Sequence, residues 1–207
     1  MLNTSFNVTF FLQTFKFMGG YHIRESRDIT VIIMLAVMGF VFLVLIGQIP
    51  RLITGIPGIA YAFDIVYSIL QSVSWLMFEG RRWRIVAQGS LLSLLALTII
   101  PVWNPAIAIS TVVNMLIVDL VFNSFYRLFK RKKMLLQWLI LGQVYYWSTH
   151  SLWVLLFSSL LFYPFEAVLT NWFIPIMLVM LPVIIIEAVA GSYIGYKIYR
   201  RVEKLTE

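Results

Sequence analysis

Six apolar stretches, separated by short polar or proline-bearing breaks, run along this chain at about 29–49, 57–79, 85–103, 105–129, 134–162 and 173–198. A helix rises about 1.5 Å per residue, so roughly 20 mostly apolar residues reach across a bilayer's hydrocarbon layer. The breaks carry turn chemistry: Ile49-Pro50, Gly55-Ile56-Pro57-Gly58, Glu79-Gly80-Arg81-Arg82, Pro101 with Asn104-Pro105, Lys130-Arg131-Lys132-Lys133, and Tyr163-Pro164. The pattern predicts an all-α integral membrane protein with six transmembrane helices. The third and fourth are joined so tightly that they form a helical hairpin. The fifth is long enough to tilt or to emerge at one end.

Residues 1–28 hold five phenylalanines in a stretch too interrupted by polar groups to span. They lack the basic start and small-residue cleavage site of a secretory signal. This segment is expected to be an interfacial or disordered leader, followed by a transmembrane domain over 29–199 and a short charged cytoplasmic tail over 200–207.

Composition supports the membrane assignment. Of 207 residues, 61% are hydrophobic and 12% charged, more apolar surface than a soluble domain of this length could keep from water. The chain has no cysteine, which excludes disulfides, thiolate zinc sites, iron–sulfur clusters and cysteine nucleophiles. The net charge of +7 is placed asymmetrically: all but Arg51 of the 16 basic residues fall on one side of the six-span topology. By the positive-inside rule that side is cytoplasmic, so both termini are expected inside a prokaryotic plasma membrane. The basic clusters are short, dispersed and accounted for by topology and lipid, so no nucleic-acid partner is expected.

An ionisable group at bilayer depth costs at least about 2.5 kcal/mol and normally faces the bundle interior or a watery cavity. Four fall within the spans: Asp64, Asp119, His150 and Glu187. Asp64, Ser68, Gln71 and Trp75 share one helical face, which serves either as a polar seam between helices or as a ligand or ion contact. Ser110, Thr111 and Asn114 share another face. Asp119, Asn123 and Arg127 form a line whose simplest role is a local network easing the aspartate's burial. In the last span Pro175 and Pro182 are expected to bend the helix and free backbone carbonyls toward a cavity, Gly191 and Gly195 form a GxxxG step for close helix approach, and Glu187 has no basic residue within a turn. That carboxylate either finds a partner on another helix, binds a cation or stays protonated.

The stretch "QVYYWSTHSLW" places Gln143, Tyr146, Trp147, His150 and Trp153 on one stripe of the fifth helix. Tryptophan and tyrosine usually populate membrane interfaces, yet His150 is 17 residues from Lys133 and 14 from Pro164, which is mid-membrane. Such a stripe offers stacking faces and hydrogen-bonding tips for a flat polar ligand. An aromatic helix–helix contact with one satisfied histidine is the structural alternative. No GxxxxGK[ST], HExxH or GxSxG motif is present, so no catalytic residue, cofactor or metal is expected.

The chain resembles the S components of energy-coupling factor (ECF) transporters, small membrane proteins that capture vitamins. The features that carry the resemblance are the six spans with both ends cytoplasmic, the small-residue-rich first span "IIMLAVMGFVFL", the Pro- and Gly-bearing loop "GQIPRLITGIPGIAYAF" and the tail "EAVAGSYIGYKIYRRVEK". The resemblance implies a substrate site in the outer half, built by the last three helices and capped by the first outward loop. It also implies a first helix that docks on a transmembrane coupling subunit, itself joined to two cytoplasmic ATPases. In place of an AxxxA docking step this chain has Ala36 and, four residues on, Phe40, with Gly39 between them.

The expected function is therefore capture of a small, flat, polar micronutrient, a thiamine-like one included. The site residues are Tyr146, Trp147, His150 and Trp153, with polar contacts from Asn114 and Glu187 and secondary ones from Asp64 and Arg51. The alternatives are a stand-alone ion- or proton-coupled carrier relaying through Asp64, Asp119 and Glu187, and an assembly factor or intramembrane enzyme without transport.

Overall fold

In the computed structural model, residues 26–49, 53, 64–99, 105–161 and 173–206 are described. They form six helices at the expected places. Helix α1 (Ser26–Phe42) continues into a π-helical stretch, Leu43–Gln48. Helices α2 (Asp64–Met77) and α3 (Arg84–Ile99) follow. Helix α4 runs from Pro105 to Ile117, widens to a π-helix over Val118–Phe122 and ends as Asn123–Arg131. Helices α5 (Leu135–Leu161) and α6 (Phe173–Thr206) complete the bundle. Pro105 opens α4, where a missing N–H costs nothing because first-turn amides have no intrahelical partner. Pro182 stands inside α6. The expected charged tail is a continuation of α6, where Arg200 pairs with Glu203 one turn on.

Three helices among the described residues are long and apolar enough to cross a membrane: Asp28–Ile46, Pro105–Arg131 and Leu178–Glu203. The apolar parts of α2 and α3, Ile65–Met77 and Arg84–Thr98, are shorter. Helix α5 has the length, 27 residues, with its polar groups halfway along. The exterior carries large exposed apolar side chains, among them Ile33, Val37 and Val41 of α1 and Leu178, Val179 and Ile186 of α6.

The helices close into a ring in the order α1, α3, α4, α5, α6, α2 and back to α1, with α2 also reaching α5 across it. Helix α2 packs closely along α6, and the glycine step explains how. A Cβ on Gly191 would lie 2.5 Å from Ser68 Oγ, and one on Gly195 would lie 2.6 Å from Ser72 Cβ and 2.9 Å from the Ile69 carbonyl oxygen. Two serines four residues apart thus face two glycines four residues apart, and the backbones meet with almost nothing between them.

Buried charges gather where α2 turns into α3. Arg81 Nη1 donates to both oxygens of Asp28 at 2.8 and 2.9 Å, while Arg84 Nε and Nη2 donate to Oδ2 at 3.1 and 2.9 Å. Asp28, assigned from sequence to the leader, is instead buried in the first turn of α1. Asp119 accepts from the backbone N–H of Trp83 and Val86 at 3.0 and 3.1 Å and from Asn123 Nδ2 at 2.8 Å. A carboxylate on α4 therefore caps the N-terminus of α3, a site that favours negative charge. The Asp119–Asn123 network expected from sequence is present, and Arg127 at the end of its line is exposed.

The connecting turn is tight. Glu79, Gly80 and Trp83 have φ of 54°, 70° and 71°, and a Cβ on Gly80 would meet the Tyr126 side chain at 2.6 Å. Behind it, Trp138 Nε1 donates to the carbonyl of Phe122 at 2.7 Å, at the last residue of the π-helical stretch.

Candidate functional site

The stripe on α5 faces inward. Gln143 and Tyr146 are 0% and 2% exposed and Trp147 8%, enclosed by α2, α4 and α6. Rings from α2 meet them edge to face. Tyr67 lies 5.6 Å from Trp147 and Trp75 lies 6.3 Å from Tyr146, centroid to centroid. Tyr146 in turn packs against Trp147 at 5.1 Å and His150 at 5.6 Å. Gly142 makes room for this: a Cβ there would lie 3.0 Å from Trp75 Cζ3.

Hydrogen bonds tie the stripe to its neighbours. Trp147 Nε1 donates to Gln143 Oε1 at 3.0 Å, and Ser68 Oγ approaches the same oxygen at 3.4 Å. Asn114, fully buried on α4, donates through Nδ2 to the Tyr146 carbonyl at 2.7 Å and accepts through Oδ1 from Thr149 Oγ1 at 3.0 Å. Asn114 therefore clamps α4 to α5, where the sequence placed it as a ligand contact. His150 Nε2 sits 3.1 Å from Thr111 Oγ1, which also lies 3.0 Å from the Ile107 carbonyl.

The remaining expected site residues are more scattered. Trp153 is half-buried and stacks on Phe157 of its own helix at 6.2 Å. Glu187 is half-buried on α6 beside Ala188, whose carbonyl lies 3.5 Å from Ser68 Oγ. Asp64 begins α2. Arg51, the Asp64 side chain, residues 1–25 of the expected leader and residues 54–63 of the expected outward loop lie outside the described residues.

The expected docking residues need correcting. Ala36 is 1% exposed and Gly39 is buried, with Tyr67 Cε2 3.0 Å and Leu92 Cδ1 3.8 Å from where a Gly39 Cβ would stand. Phe40 is half-buried. The small-residue side of α1 packs into the bundle together with Ile32 and Leu35, while Ile33, Val37 and Val41 face outward.

Helix α2 contributes more than its sequence pattern indicated. Gln71 is 1% exposed, and its side chain donates from Nε2 to the sulfur of Met115 at 3.7 Å, a weak acceptor. Its Oε1, Trp75 Nε1 and Gln143 Nε2 are all buried with no hydrogen-bond partner among the described residues. The sequence had placed Gln71 and Trp75 on one polar face, but nothing in it told that this face meets Gln143.

The interior between α2, α4 and α5 is thus a wall of rings with uncharged amides and hydroxyls set among them. Such a surface can stack on a flat molecule and pair with its polar edge. The chain matches no known family model, no curated protein and no solved structure at a significant level.

Proposed function

We propose that this chain is a six-span membrane protein, with both termini in the cytoplasm, that binds a small, flat, polar micronutrient as the substrate-capture subunit of an ECF-type transporter. The observation that carries the reading is the ring-lined interior at Tyr146 and Trp147, where buried hydrogen-bonding groups of α2 and α5 have no partner among the described residues. A bundle needing only to hold together is better served by apolar packing, because an unmatched buried polar group costs about 1–3 kcal/mol.

In this reading the coupling subunit meets the exposed Ile33, Val37 and Val41 face of α1, since Ala36 and Gly39 are turned inward. The ATPases that drive release belong to separate chains. Isolation of the full chain from its native membranes in mild detergent tests the assembly. A complex containing a second membrane subunit and two ATPases is the expected result. A chain that purifies alone and still supports uptake in membranes lacking such ATPases would instead be a stand-alone carrier.

One observation favours a reading without a ligand. Trp147, Tyr146 and His150 are packed against rings and hydroxyls of neighbouring helices, as in a purely structural aromatic core. An assembly factor of this kind would lose stability, and no small molecule, when Trp147 is removed.

A further inference from the structure

We infer that the end of α4, with the turn that joins it to α5, binds the phosphate of an anionic phospholipid standing against the helix. The inference needs only a bundle embedded in lipid and does not rest on the substrate reading above.

Five of the seven residues from Arg127 to Lys133 are basic: Arg127, Lys130, Arg131, Lys132 and Lys133. All five are exposed. No Asp or Glu occurs between Asp119 and Glu166, and Asp119 is buried against the start of α3. Among the described residues, carboxylates engage Arg81, Arg84 and Arg200, and none engages these five. Lys130 leans on the Tyr126 ring, with Nζ 5.9 Å from its centroid.

A charge run at the end of a membrane helix serves orientation and the negative end of the helix dipole. Two features exceed that role. The backbone N–H groups of Lys132, Lys133 and Met134 donate to the carbonyls of Leu128, Lys130 and Phe129 at 3.1, 3.1 and 2.8 Å, closing a tight turn. Lys133 has a φ of 58° there, the left-handed conformation in which glycine is usual and a side chain is strained. Orientation does not require a cation at that strained position, so the charge is wanted at that spot.

The second feature is a stripe. Leu120, Ser124, Arg127, Leu128 and Arg131 follow at steps of 4, 3, 1 and 3, along one side of a helix, and all are exposed. Val121 and Phe125, also exposed, widen its apolar part. The outer side of α4 thus passes from apolar to basic in the order that a phospholipid presents acyl chain and phosphate. Arg127 and Arg131, one turn apart, each offer a fork of N–H donors that suits phosphate oxygens. A zwitterionic lipid brings its own cation to the same place and gains less. An acidic protein segment would answer the charges but not the apolar stripe beneath them.

The test uses the full chain in detergent with an equal mixture of phosphatidylglycerol and phosphatidylcholine, and native mass spectrometry counts the lipids retained. Wild type should hold at least about tenfold more phosphatidylglycerol, since each cation near an anionic headgroup contributes about fivefold in affinity. Arg127→Gln with Arg131→Gln should lose most of that preference. Lys197→Gln with Arg201→Gln, which removes equal charge from α6, should keep it. Lys133→Gly should raise the lipid-free thermal midpoint by about 3 °C and yet weaken the preference about fivefold. No preference in wild type overturns the site and leaves the cations to orientation or to an acidic partner. An equal loss from the α4 and α6 pairs overturns it too, because net charge then suffices. So does displacement of the lipid by millimolar inorganic phosphate, the mark of a bare anion site. A Lys133→Gly chain that is no more stable, or that keeps the full preference, overturns the part given to the turn.

Discussion

Substituting Gly195 tests the contact that holds α2 in register against α6. In Gly195→Ala the new Cβ would stand 2.6 Å from Ser72 Cβ and 2.9 Å from the Ile69 carbonyl oxygen. Carbon atoms in favourable contact sit about 3.5–4.0 Å apart, so the helices must part by about 1 Å. The Ile69 oxygen is backbone and has no rotamer to escape into, which puts the strain near the upper end of the usual overpacking range, about 3 kcal/mol. Alanine is the better helix former by about 1 kcal/mol, so the net loss is about 2 kcal/mol. The sign is decisive, because without the close approach the same change would stabilise the helix. Helicity followed against denaturant in detergent micelles measures it. Ser72→Gly in the same chain removes the first obstruction and should recover about 1 kcal/mol, a coupling that independent sites do not show. A Gly195→Ala protein as stable as wild type, or losses that simply add, would refute the contact.

Other substitutions probe the buried polar groups. Asp28→Ala strips the buried Arg84 of its carboxylate and should cost about 3–5 kcal/mol, part of which a second change, Arg84→Met, restores; thermal unfolding of the two proteins checks this. Asp119→Ala removes the cap from the Trp83 and Val86 amides, costing about 2 kcal/mol, and hydrogen exchange should accelerate in the first turn of α3 before it does elsewhere. Asn114→Ala removes the side-chain bonds from α4 to the Tyr146 carbonyl and to Thr149 and should lower the thermal midpoint even without ligand, separating its clamping role from any part in binding.

The helical segments were legible because length and apolarity mark them directly: the structure shows α4 at Pro105–Arg131 and α5 at Leu135–Leu161, against expected 105–129 and 134–162. Gly191 and Gly195 announced a close approach, yet Ser68 and Ser72 as its partners follow only from the fold. Asp119 with Asn123 was readable because both lie on one helix four residues apart. Its cap on α3 was not, since that depends on how α4 crosses a neighbour. The direction of α1 was misread at Ala36 and Gly39 because a helix apolar on every side carries no moment to say which face turns inward. Asp28 was missed as a structural residue, although an acid at the start of an apolar span, in a chain with arginines after the second span, was a usable signal. The stripe of α5 was legible as a stripe; the rings of Tyr67 and Trp75 that close over it come from another helix.

Native mass spectrometry of the full chain, extracted gently from its own membranes, tests the proposed ligand-binding interior most directly. Wild type should carry a small, flat, non-lipid molecule, and Trp147→Ala, still folded by its helicity, should have lost it. A wild-type chain bare of any such molecule, or a Trp147→Ala chain that retains it undiminished, would contradict the account.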